Sequence, residues 1–447
     1  MRISSAVVVI LTAVLFFSRY DGQFCARPAA AAENGPRTSG PAQRPAWDDL
    51  APVQAGTDDW PWWRGPNGDN LAASPQEPPI GWSKTENVVW RADPPGRGHG
   101  SPCLWGNRVF LPTADDEARV QYVLCYDRQS GEKLWQTEVH RKGFVKLNRK
   151  NSHASATPAC DGRYVFMPFA VQDALWLTAL DLDGKLVWQR RLGDFQSMHG
   201  FAASPVLYRS LVIVAGDNLN KSFLAAVHRR TGQIVWRIDR PSYNLGTYAS
   251  PIVGRVAGCD QLLLHGPYKV FSYDPATGRL LWTCDGPSES ASSTVSFNDT
   301  LVWSSVGFPK RNMLCIRGDG SGDVTKTHVV WSKSNKMAYV PSLLLADGLL
   351  YMIEDAGSAT CFEAATGEVV WEARLEGQFS SSPVLAGGHI YVANEEGVIF
   401  VFKAGRAFEL VARNDLGDGG FATPVISGGR VYLRTLHHLY CLGATGS

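Results

Sequence analysis

The sequence predicts an all-β protein: an eight-bladed β-propeller of four-stranded antiparallel blades, with the ring closed by an N-terminal strand. Two repeated hairpin motifs predict this fold, one ending at a tryptophan and one beginning at Ser-Pro or Thr-Pro. By subtraction of their positions, the tryptophans are 40–53 residues apart: Trp90, Trp135, Trp188, Trp236, Trp282, Trp331 and Trp371. A period of about 40–50 residues with two hairpins per repeat is typical of propeller blades.

The tryptophan hairpin contains a turn of the form Asp-x-x-Thr-Gly, as in Asp274–Trp282 and, in shorter form, Ala365–Trp371. The Asp side chain can accept hydrogen bonds from backbone amides two residues further on, and Gly adopts a positive φ without steric cost. The flanking runs are short, apolar and rich in β-branched residues, as strands are. We therefore expect two antiparallel strands around each copy of this turn.

The second hairpin lies upstream of the first in each repeat, as in Thr157–Phe166 and Ser382–Val392. Its copies begin near residues 101, 157, 204, 250, 293, 342, 382 and 423. The copies near residues 293 and 342 lack the Ser-Pro or Thr-Pro dipeptide but keep the spacing of the repeat. Because two hairpins make one four-stranded blade, eight copies predict eight blades.

The two ends of the repeat array complement each other. The eighth copy, Thr423–Leu442, stops before a tryptophan strand, whereas Val88–Trp90 is a tryptophan strand without a blade. We infer that Val88–Trp90 completes the eighth blade, which closes the ring and removes its open edge. In the seventh blade, Glu409–Val411 stands where a tryptophan is expected.

The repeat Leu-x-Ala-x-Asp-x-x-Thr-Gly-x-x-x-Trp resembles that of the pyrroloquinoline-quinone (PQQ)-like β-propellers, which include quinoprotein alcohol dehydrogenases and a cofactor-free outer-membrane assembly lipoprotein. The segment Trp60–Gly68 also resembles the lead-in of exported bacterial PQQ-binding-like repeat proteins. The resemblance covers residues 60–447. It is specific for the fold and weak for function, because the repeat packs the blades while chemistry depends on sites added to them.

The N-terminus has the features of an export signal. Residues 1–32 are expected to be a signal peptide, with Arg2 before the apolar run Ala6–Phe17 and small residues at Ala30–Ala32. An uncleaved membrane anchor is an alternative, and a lipoprotein anchor at Cys25 would lack the usual small residue before the cysteine. We expect residues 33–59 to be a flexible Ala/Pro-rich linker and residues 60–447 to be the propeller. The protein is therefore expected to be periplasmic or envelope-associated.

The net charge and the charged fraction of the chain indicate which kind of partner the protein binds. The net charge is +1 and charged residues make up 19% of the chain, which does not favour nucleic acid. We expect protein partners in the envelope and a monomeric propeller. A basic run that includes Lys146 and Lys150, before the second blade, is expected to be solvated surface.

The nine cysteines do not form an obvious disulfide framework. Cys125 lies six residues before a turn glycine, at a position that Ala226 fills in the third repeat. This pattern predicts a buried site for a small residue, where cysteine packs as a small hydrophobe. Cys259 and Cys284, both in the fourth blade, are the pair that could form a disulfide.

Three function classes remain open. The resemblance to quinoprotein dehydrogenases implies PQQ and Ca²⁺ in the central funnel, a vicinal Cys-Cys disulfide over the quinone, a tryptophan floor, and Glu, Asn and Asp around the metal. The chain has no Cys-Cys pair and no convincing set of such ligands, so we expect no PQQ, Ca²⁺ or other metal. We favour a non-catalytic binding or scaffolding propeller. The alternative is an enzyme or a small-molecule or carbohydrate binder that uses the funnel.

The segments that lead into the first strand of each blade should line the rim of the funnel. The candidate binding residues there are His99, Asn151, His153, His199, Tyr248 and Tyr339. Three histidines could together hold a transition metal. Their distances to the following proline differ, at three, five and six residues, which favours separate polar positions instead.

The segment before the first blade carries a second candidate. Trp62, Trp63 and Arg64 could form an exposed recognition patch. Alternatively, they pack against the ring where it closes, which we favour.

Overall fold

The computed structural model describes residues 45–444, apart from residues 74, 243, 244 and 287. The predicted signal peptide and the first part of the predicted linker lie outside the described residues. Eight sheets of antiparallel strands form a ring, which confirms the predicted eight-bladed propeller.

The first four blades follow the predicted order of two hairpins each. Blade 1 contains β2 (Cys103–Trp105), β3 (Arg108–Asp115), β4 (Val120–Asp127) and β5 (Lys133–Arg141). Blade 2 contains β6 (Ala159–Cys160), β7 (Tyr164–Val171), β8 (Ala174–Asp181) and β9 (Leu186–Asp194). Blade 3 contains β10 (Val206–Tyr208), β11 (Leu211–Gly216), β12 (Ser222–His228) and β13 (Ile234–Arg240). Blade 4 contains β14 (Ile252–Val256), β15 (Cys259–Gly266), β16 (Lys269–Tyr273) and β17 (Leu280–Asp285).

The remaining blades complete the ring. Blade 5 contains β18 (Ser296–Phe297), β19 (Leu301–Val306), β20 (Asn312–Arg317) and β22 (Val329–Ser334). Between the last two, β21 (Gly322–Asp323) leaves blade 5 and pairs in parallel with β17 of blade 4. Blade 6 contains β23 (Leu344–Ala346), β24 (Leu349–Ile353), β25 (Ser358–Glu363) and β26 (Val369–Arg374). Blade 7 contains β27 (Val384–Ala386), β28 (His389–Ala393), β29 (Val398–Lys403) and β30 (Leu410–Asp415). Blade 8 contains β31 (Val425–Ser427), β32 (Arg430–Arg434), β33 (Leu439–Leu442) and β1 (Val88–Ala92).

The first strand of each blade is the innermost, since β2 contacts β6 and β10 contacts β14 around the axis. Loops that join successive blades, and loops between second and third strands, lie on one face of the ring, which we call the upper face. The other turns lie on the lower face. The apolar core fills the spaces between neighbouring sheets, where large side chains such as Phe110, Phe166 and Phe223 are fully buried.

Six of the seven outer-strand tryptophans link two blades, whereas the Trp282 indole N–H donates to Gln261 Oε1 of its own blade at 2.9 Å. Within its own blade, a linking tryptophan lies opposite a small residue, as Trp135 lies opposite Cys125. Its ring packs against the turn glycine of the next blade: a Cβ on Gly184, where φ is +81°, would lie 2.6 Å from Cδ2 of Trp135. The Trp135 indole N–H donates to the carbonyl oxygen of Leu182 in that turn, at 2.8 Å. The same donation to the next blade recurs for Trp90, Trp188, Trp236, Trp331 and Trp371.

Blade 7 departs from this pattern for a structural reason. Ala412, rather than a residue of Glu409–Val411, lies opposite the small-residue position at Val401. Blade 8 has no continuous turn between its last two strands that could receive a tryptophan, because these strands come from opposite ends of the chain. Trp82 fills this space instead and stacks on Tyr391 with ring centroids 6.4 Å apart.

The N-terminal strand closes the ring as predicted. β1 pairs antiparallel with β33, and Trp90 lies opposite Cys441. The amide of Gly443 donates to the carbonyl oxygen of Asn87 at 3.0 Å, at the point where the two chain ends meet. The closing blade thus follows the same Trp-and-small-residue rule as the others.

The cysteine positions agree with the small-residue rule, but the suggested disulfide does not form. Cys125, Cys361 and Cys441 are buried and free. Cys284 is also a free, buried cysteine, so the pairing of Cys259 with Cys284 was wrong.

Part of the predicted linker is bound to the ring. Residues 45–59 run along the lower face, where the amide of Leu50 donates to Ser210 Oγ at 2.9 Å and Asp48 forms an ion pair with Arg209 at 2.9 Å. The carbonyl oxygen of Asp58 accepts a hydrogen bond from Ser427 Oγ at 2.7 Å. The expectation of a free tether was therefore wrong for this stretch, because its polar groups find partners on blades 1, 3 and 8. The domain boundary at residue 60 stays a prediction.

In the described part of the chain, no helix is long and apolar enough to cross a membrane.

Truncating one tryptophan should destabilise the whole ring. We expect Trp236→Ala to lower the free energy of unfolding by about 3 kcal/mol, because it leaves a cavity between two blades and removes the hydrogen bond to Pro275. Urea unfolding followed by circular dichroism measures this change. Trp236→Phe should lose less, and an Ala variant as stable as the parent would contradict the docking role.

Removing the closing strand should prevent formation of the ring. Deletion of residues 82–91 takes away most of β1 and Trp82, so blade 8 would expose the edge of β33. We expect the variant to aggregate or to lose its cooperative thermal transition, as measured by calorimetry. Trp90→Phe, which keeps the strand, serves as the control, and a deletion variant that melts like the parent would refute closure by β1.

Candidate functional site

A central cavity of about 560 Å³ lies on the propeller axis and is lined by residues from the loops that lead into the inner strands. We call this cavity the cup. Five of the six predicted rim residues line it: His99, Asn151, His199, Tyr248 and Tyr339. The position of the candidate site was therefore largely predicted by the repeat.

The floor of the cup comes from the N-terminal segment. Residues 60–72 cross the lower face from blade 1, where Trp60 pairs with Leu104, to blade 7, where Leu71 pairs with Leu385. Trp63 lies between these points, and its indole N–H donates to Thr294 Oγ1 of blade 5 at 2.9 Å. Because Trp63 lines the cup, this segment closes its lower end.

This arrangement corrects one of the recognition candidates. Arg64 is only 1% exposed and donates hydrogen bonds to the carbonyl oxygens of Gly68 and Leu343 and to Ser296 Oγ. It therefore fixes the floor and cannot form an exposed patch. Trp62 packs against the apolar core, in line with the favoured packing alternative.

A ring of Ser and Thr hydroxyls surrounds the axis just above the floor. In each case the backbone amide donates to the hydroxyl of the next blade, as Ser101 does to Thr157 at 3.0 Å and Thr157 to Ser204 at 2.9 Å. The same bond follows at Ser204–Ser250, Thr294–Ser342, Ser342–Ser382 and Ser382–Thr423. Ser101 Oγ donates to the carbonyl oxygen of Thr423 at 2.8 Å and so joins blade 1 to blade 8.

These hydroxyls are the site residues that the sequence analysis missed. Most of them precede the proline at the start of an inner strand, so the signal was the Ser-Pro or Thr-Pro motif; Thr294 and Ser342 hold the same position without a proline. Within the described chain, the hydroxyls of Thr157, Ser204, Ser250, Ser342, Ser382 and Thr423 accept these bonds and donate to no protein group. Their hydrogens remain available to the cup, which all six line.

His99 forms a neutral part of the wall. Its ring stacks on Phe421 with centroids 4.4 Å apart, and its Nε2 accepts a hydrogen bond from Arg97 Nε at 3.2 Å. Burial, together with the positive charges of Arg97 and Arg434, lowers the pKa of His99 to about 3. The imidazole is therefore uncharged at neutral pH.

The opposite part of the wall is built from His199, Tyr248 and Tyr339. The His199 and Tyr248 rings lie 5.8 Å apart, and the carbonyl oxygen of His199 accepts a hydrogen bond from Asn151 Nδ2 at 2.7 Å. Burial raises the pKa of Tyr248 to about 12. Tyr339 OH lies 3.1 Å from Ser290 Oγ, and its backbone amide donates to Asp355.

His153 does not belong to the cup. Its ring lies 4.0 Å from that of Phe144, its side chain is 9% exposed, and it reaches no closer than 4.0 Å to Asp116. Burial lowers its pKa to about 4. The possible three-histidine site therefore does not assemble, and in the described part of the chain no group of three His, Cys, Asp or Glu side chains could hold a metal ion.

The basic run before blade 2 contributes to the mouth of the cup. Lys150 lines the cavity, and its Nζ lies 2.9 Å from the carboxylate of Glu395 on blade 7. This ion pair joins two loops that are 245 positions apart in sequence. The run was expected to be solvated surface, but its last residue is part of the site.

Comparison with known proteins agrees with this architecture. A family model described as outer membrane protein assembly factor BamB matches residues 80–194, 119–318 and 322–435. The chain belongs to this family. Solved structures support the PQQ-like propeller fold of this BamB-family chain: quinohemoprotein alcohol dehydrogenase from Comamonas testosteroni superposes with a TM-score of 0.64 at 12% identity, covering 90% of this chain and 83% of that one.

Curated relatives of this BamB-family propeller differ in what they do. It is 24% identical over 383 residues to tetrathionate hydrolase of Acidithiobacillus ferrooxidans, a match that covers 78% of this chain and 65% of the hydrolase. It is also 24% identical over 352 residues to outer membrane protein assembly factor BamB of Bordetella pertussis, covering 75% and 81%. The chain thus spans less than two thirds of the hydrolase.

The low pKa of His99 has a consequence for stability. The unfolded chain takes up a proton at this residue near pH 6.5, while the folded state takes it up only near pH 3, so folding weakens as the pH falls through this range. The free energy of unfolding of the parent should therefore drop between pH 7 and pH 5. We expect this drop to be smaller in His99→Gln by about 1–2 kcal/mol, because the variant has no imidazole to protonate. Urea unfolding at both pH values gives this difference, and an equal loss in both proteins would show that His99 titrates normally.

Proposed function

We propose that this protein is an exported, non-catalytic binding propeller of the cell envelope, and that it holds a protein partner on its upper face. The observation that carries this proposal is the asymmetry of the two faces. The N-terminal segment covers much of the lower face, whereas the upper face presents exposed apolar side chains around the cup. Relatives named as outer membrane protein assembly factors support a role with other proteins.

The apolar side chains form an arc on the rim over blades 3 to 5. We define the rim arc as Met198, Tyr268 and Phe308, which are 49%, 37% and 59% exposed. Tyr268 and Phe308 flank the same loop, since the amide of Tyr268 donates to Ser288 and the amide of Glu289 donates to Phe308. Tyr268 and Phe308 are therefore large exposed apolar residues beside one loop, and such residues are typical of protein interaction sites.

The cup residues support binding rather than redox catalysis. PQQ is an anionic tricarboxylic quinone, and Ca²⁺ takes oxygen ligands that usually include carboxylates. No Asp or Glu lines the cup in the described part of the chain, and its one lining cation, Lys150, is paired with Glu395. These residues do not fit a PQQ–Ca²⁺ pair, and we propose that the protein works without either.

A catalytic role without PQQ is the second candidate, because the chain is similar to tetrathionate hydrolase. The cup is the site where it would take place. Its histidine His99 is neutral, and the carboxylate of Glu395, which accepts a hydrogen bond from the cup residue Ser380 at 2.7 Å, is paired with Lys150 and is therefore a poor base. We therefore favour binding, with the protein acting as a monomer and without nucleic acid.

Site-specific photo-crosslinking in intact cells tests the partner site. A photoreactive residue at position 308 should give a discrete protein adduct, whereas the same residue at position 186 should not. Leu186 is a matched control, because it is 60% exposed but lies on the outer strand of blade 2.

The adduct should weaken when the rest of the rim arc is changed. We expect Met198→Ser to reduce its yield several-fold, because a buried side chain of this size contributes about 1.5–3 kcal/mol. Equal crosslinking at positions 308 and 186, or no change with Met198→Ser, would overturn the proposed surface.

A further inference from the structure

We propose that the cup binds a neutral saccharide, with a pyranose ring against the aromatic side chains of the cup and its hydroxyls bonded to the Ser/Thr ring. The cup shares Phe308 with the rim arc, but the inference does not depend on a protein partner bound there. Four features of the cup support the inference: its closed floor, its ring of available hydroxyls, its aromatic lining and its lack of unpaired charge.

The closed floor makes the cup a pocket instead of a channel. Trp63 lines its lower end and is fixed there by the bond to Thr294, and Arg64 anchors the same segment beneath blades 5 and 6. Its volume of about 560 Å³ lies within the range of about 300–1,000 Å³ found for small-molecule sites. A ligand can therefore enter from the upper face and be surrounded on its other sides.

The Ser/Thr ring supplies hydrogen-bonding groups of the kind a sugar requires. Each hydroxyl that accepts an amide hydrogen from the preceding blade keeps its own hydrogen and a second lone pair. Ser204, for example, accepts from Thr157 at 2.9 Å and is 3% exposed, so its position is fixed by the fold. Such groups both donate and accept, and sugar hydroxyls do the same.

Aromatic side chains complete the match. Trp63, Tyr248, Tyr339, Phe308 and Phe421 all line the same cavity as the hydroxyls. The C–H face of a pyranose is apolar and packs well on aromatic rings, while its edge carries the hydroxyls. A purely apolar ligand would offer no acceptors to the hydroxyls of the Ser/Thr ring. Binding it would cost free energy for each buried hydroxyl left without a hydrogen bond.

Charge separates a saccharide from an anionic ligand. Among the described residues, Lys150 is the only charged side chain that lines the cup, and it forms the ion pair with Glu395 at the mouth. His99 is uncharged, because its pKa is lowered to about 3. A carboxylate or sulfonate deep in the cup would lose its hydration without gaining a counter-ion.

Isothermal titration of the purified full-length protein tests this inference. The probes are glucose, N-acetylglucosamine and their β-1,4-linked disaccharides, with galacturonate and PQQ as anionic comparisons. We expect saturable binding of at least one neutral sugar, at least tenfold tighter than galacturonate. No saturable binding of any neutral probe, or tighter binding of PQQ, would overturn the proposal.

Variants that remove single hydroxyls locate the binding site. Tyr248→Phe and Tyr339→Phe should each weaken sugar binding roughly fivefold, because each variant loses a hydroxyl that bonds the sugar. Tyr122→Phe is the matched control, because Tyr122 is partly buried in blade 1 and does not line the cup. Thermal melting of each variant must match the parent, and equal affinity in all three variants would place the sugar elsewhere.

Ser204→Ala probes the ring itself and needs a second readout, since the change also leaves the Thr157 amide without its acceptor. A loss of sugar binding with a folded, cooperative protein supports the proposal. Met198→Ser should leave sugar binding unchanged, because Met198 does not line the cup. If Met198→Ser loses crosslinking to the partner but still binds sugar, the two sites act independently. The proposed protein-binding surface and the proposed sugar site can then be tested and rejected separately.

Discussion

The contact between an outer-strand tryptophan and the turn of the next blade is the interaction on which this structure depends. It requires three residues at once: a small residue opposite the tryptophan in its own blade, a glycine beneath its ring, and a carbonyl oxygen for its indole N–H. At the outer strands, burial of large rings and this directed bond set the spacing of neighbouring blades. A Cβ on the turn glycine would overlap the tryptophan, which explains why the two residues recur together.

The N-terminal segment has four structural roles. Residues 45–59 bind the lower face, residues 60–72 form the floor of the cup, and β1 completes blade 8. Trp82 also fills the gap between blades 7 and 8 that the interrupted turn of blade 8 leaves open. Closure of the ring and closure of the cup are therefore properties of one stretch of chain, and changes to this stretch affect stability and the binding site together.

The interior of the cup follows from how inner strands begin. At six of the eight inner strands, a Ser or Thr just before the strand receives an amide hydrogen from the preceding blade, and this bond fixes the neighbouring inner strands relative to each other. The same geometry leaves hydroxyl hydrogens facing the axis. Burial keeps His99 neutral, and Lys150 and Glu395 neutralise each other at the mouth. The chemistry of the cup is therefore hydrogen bonding and aromatic contact, with little charge to support ionic ligands.

The sequence was enough to predict the blade count, the two hairpins per blade and the closing strand, because these depend on local turns and on a period that repeats along the chain. It also located most of the rim, since five of six predicted residues line the cup. The tertiary structure decided the rest. His99 faces the cup and His153 packs on Phe144, although both precede an inner strand, because the loops that carry them take different courses. The floor at Trp63 and the Lys150–Glu395 pair join residues far apart in sequence, and no local pattern specifies which distant side chain a loop will meet across a ring.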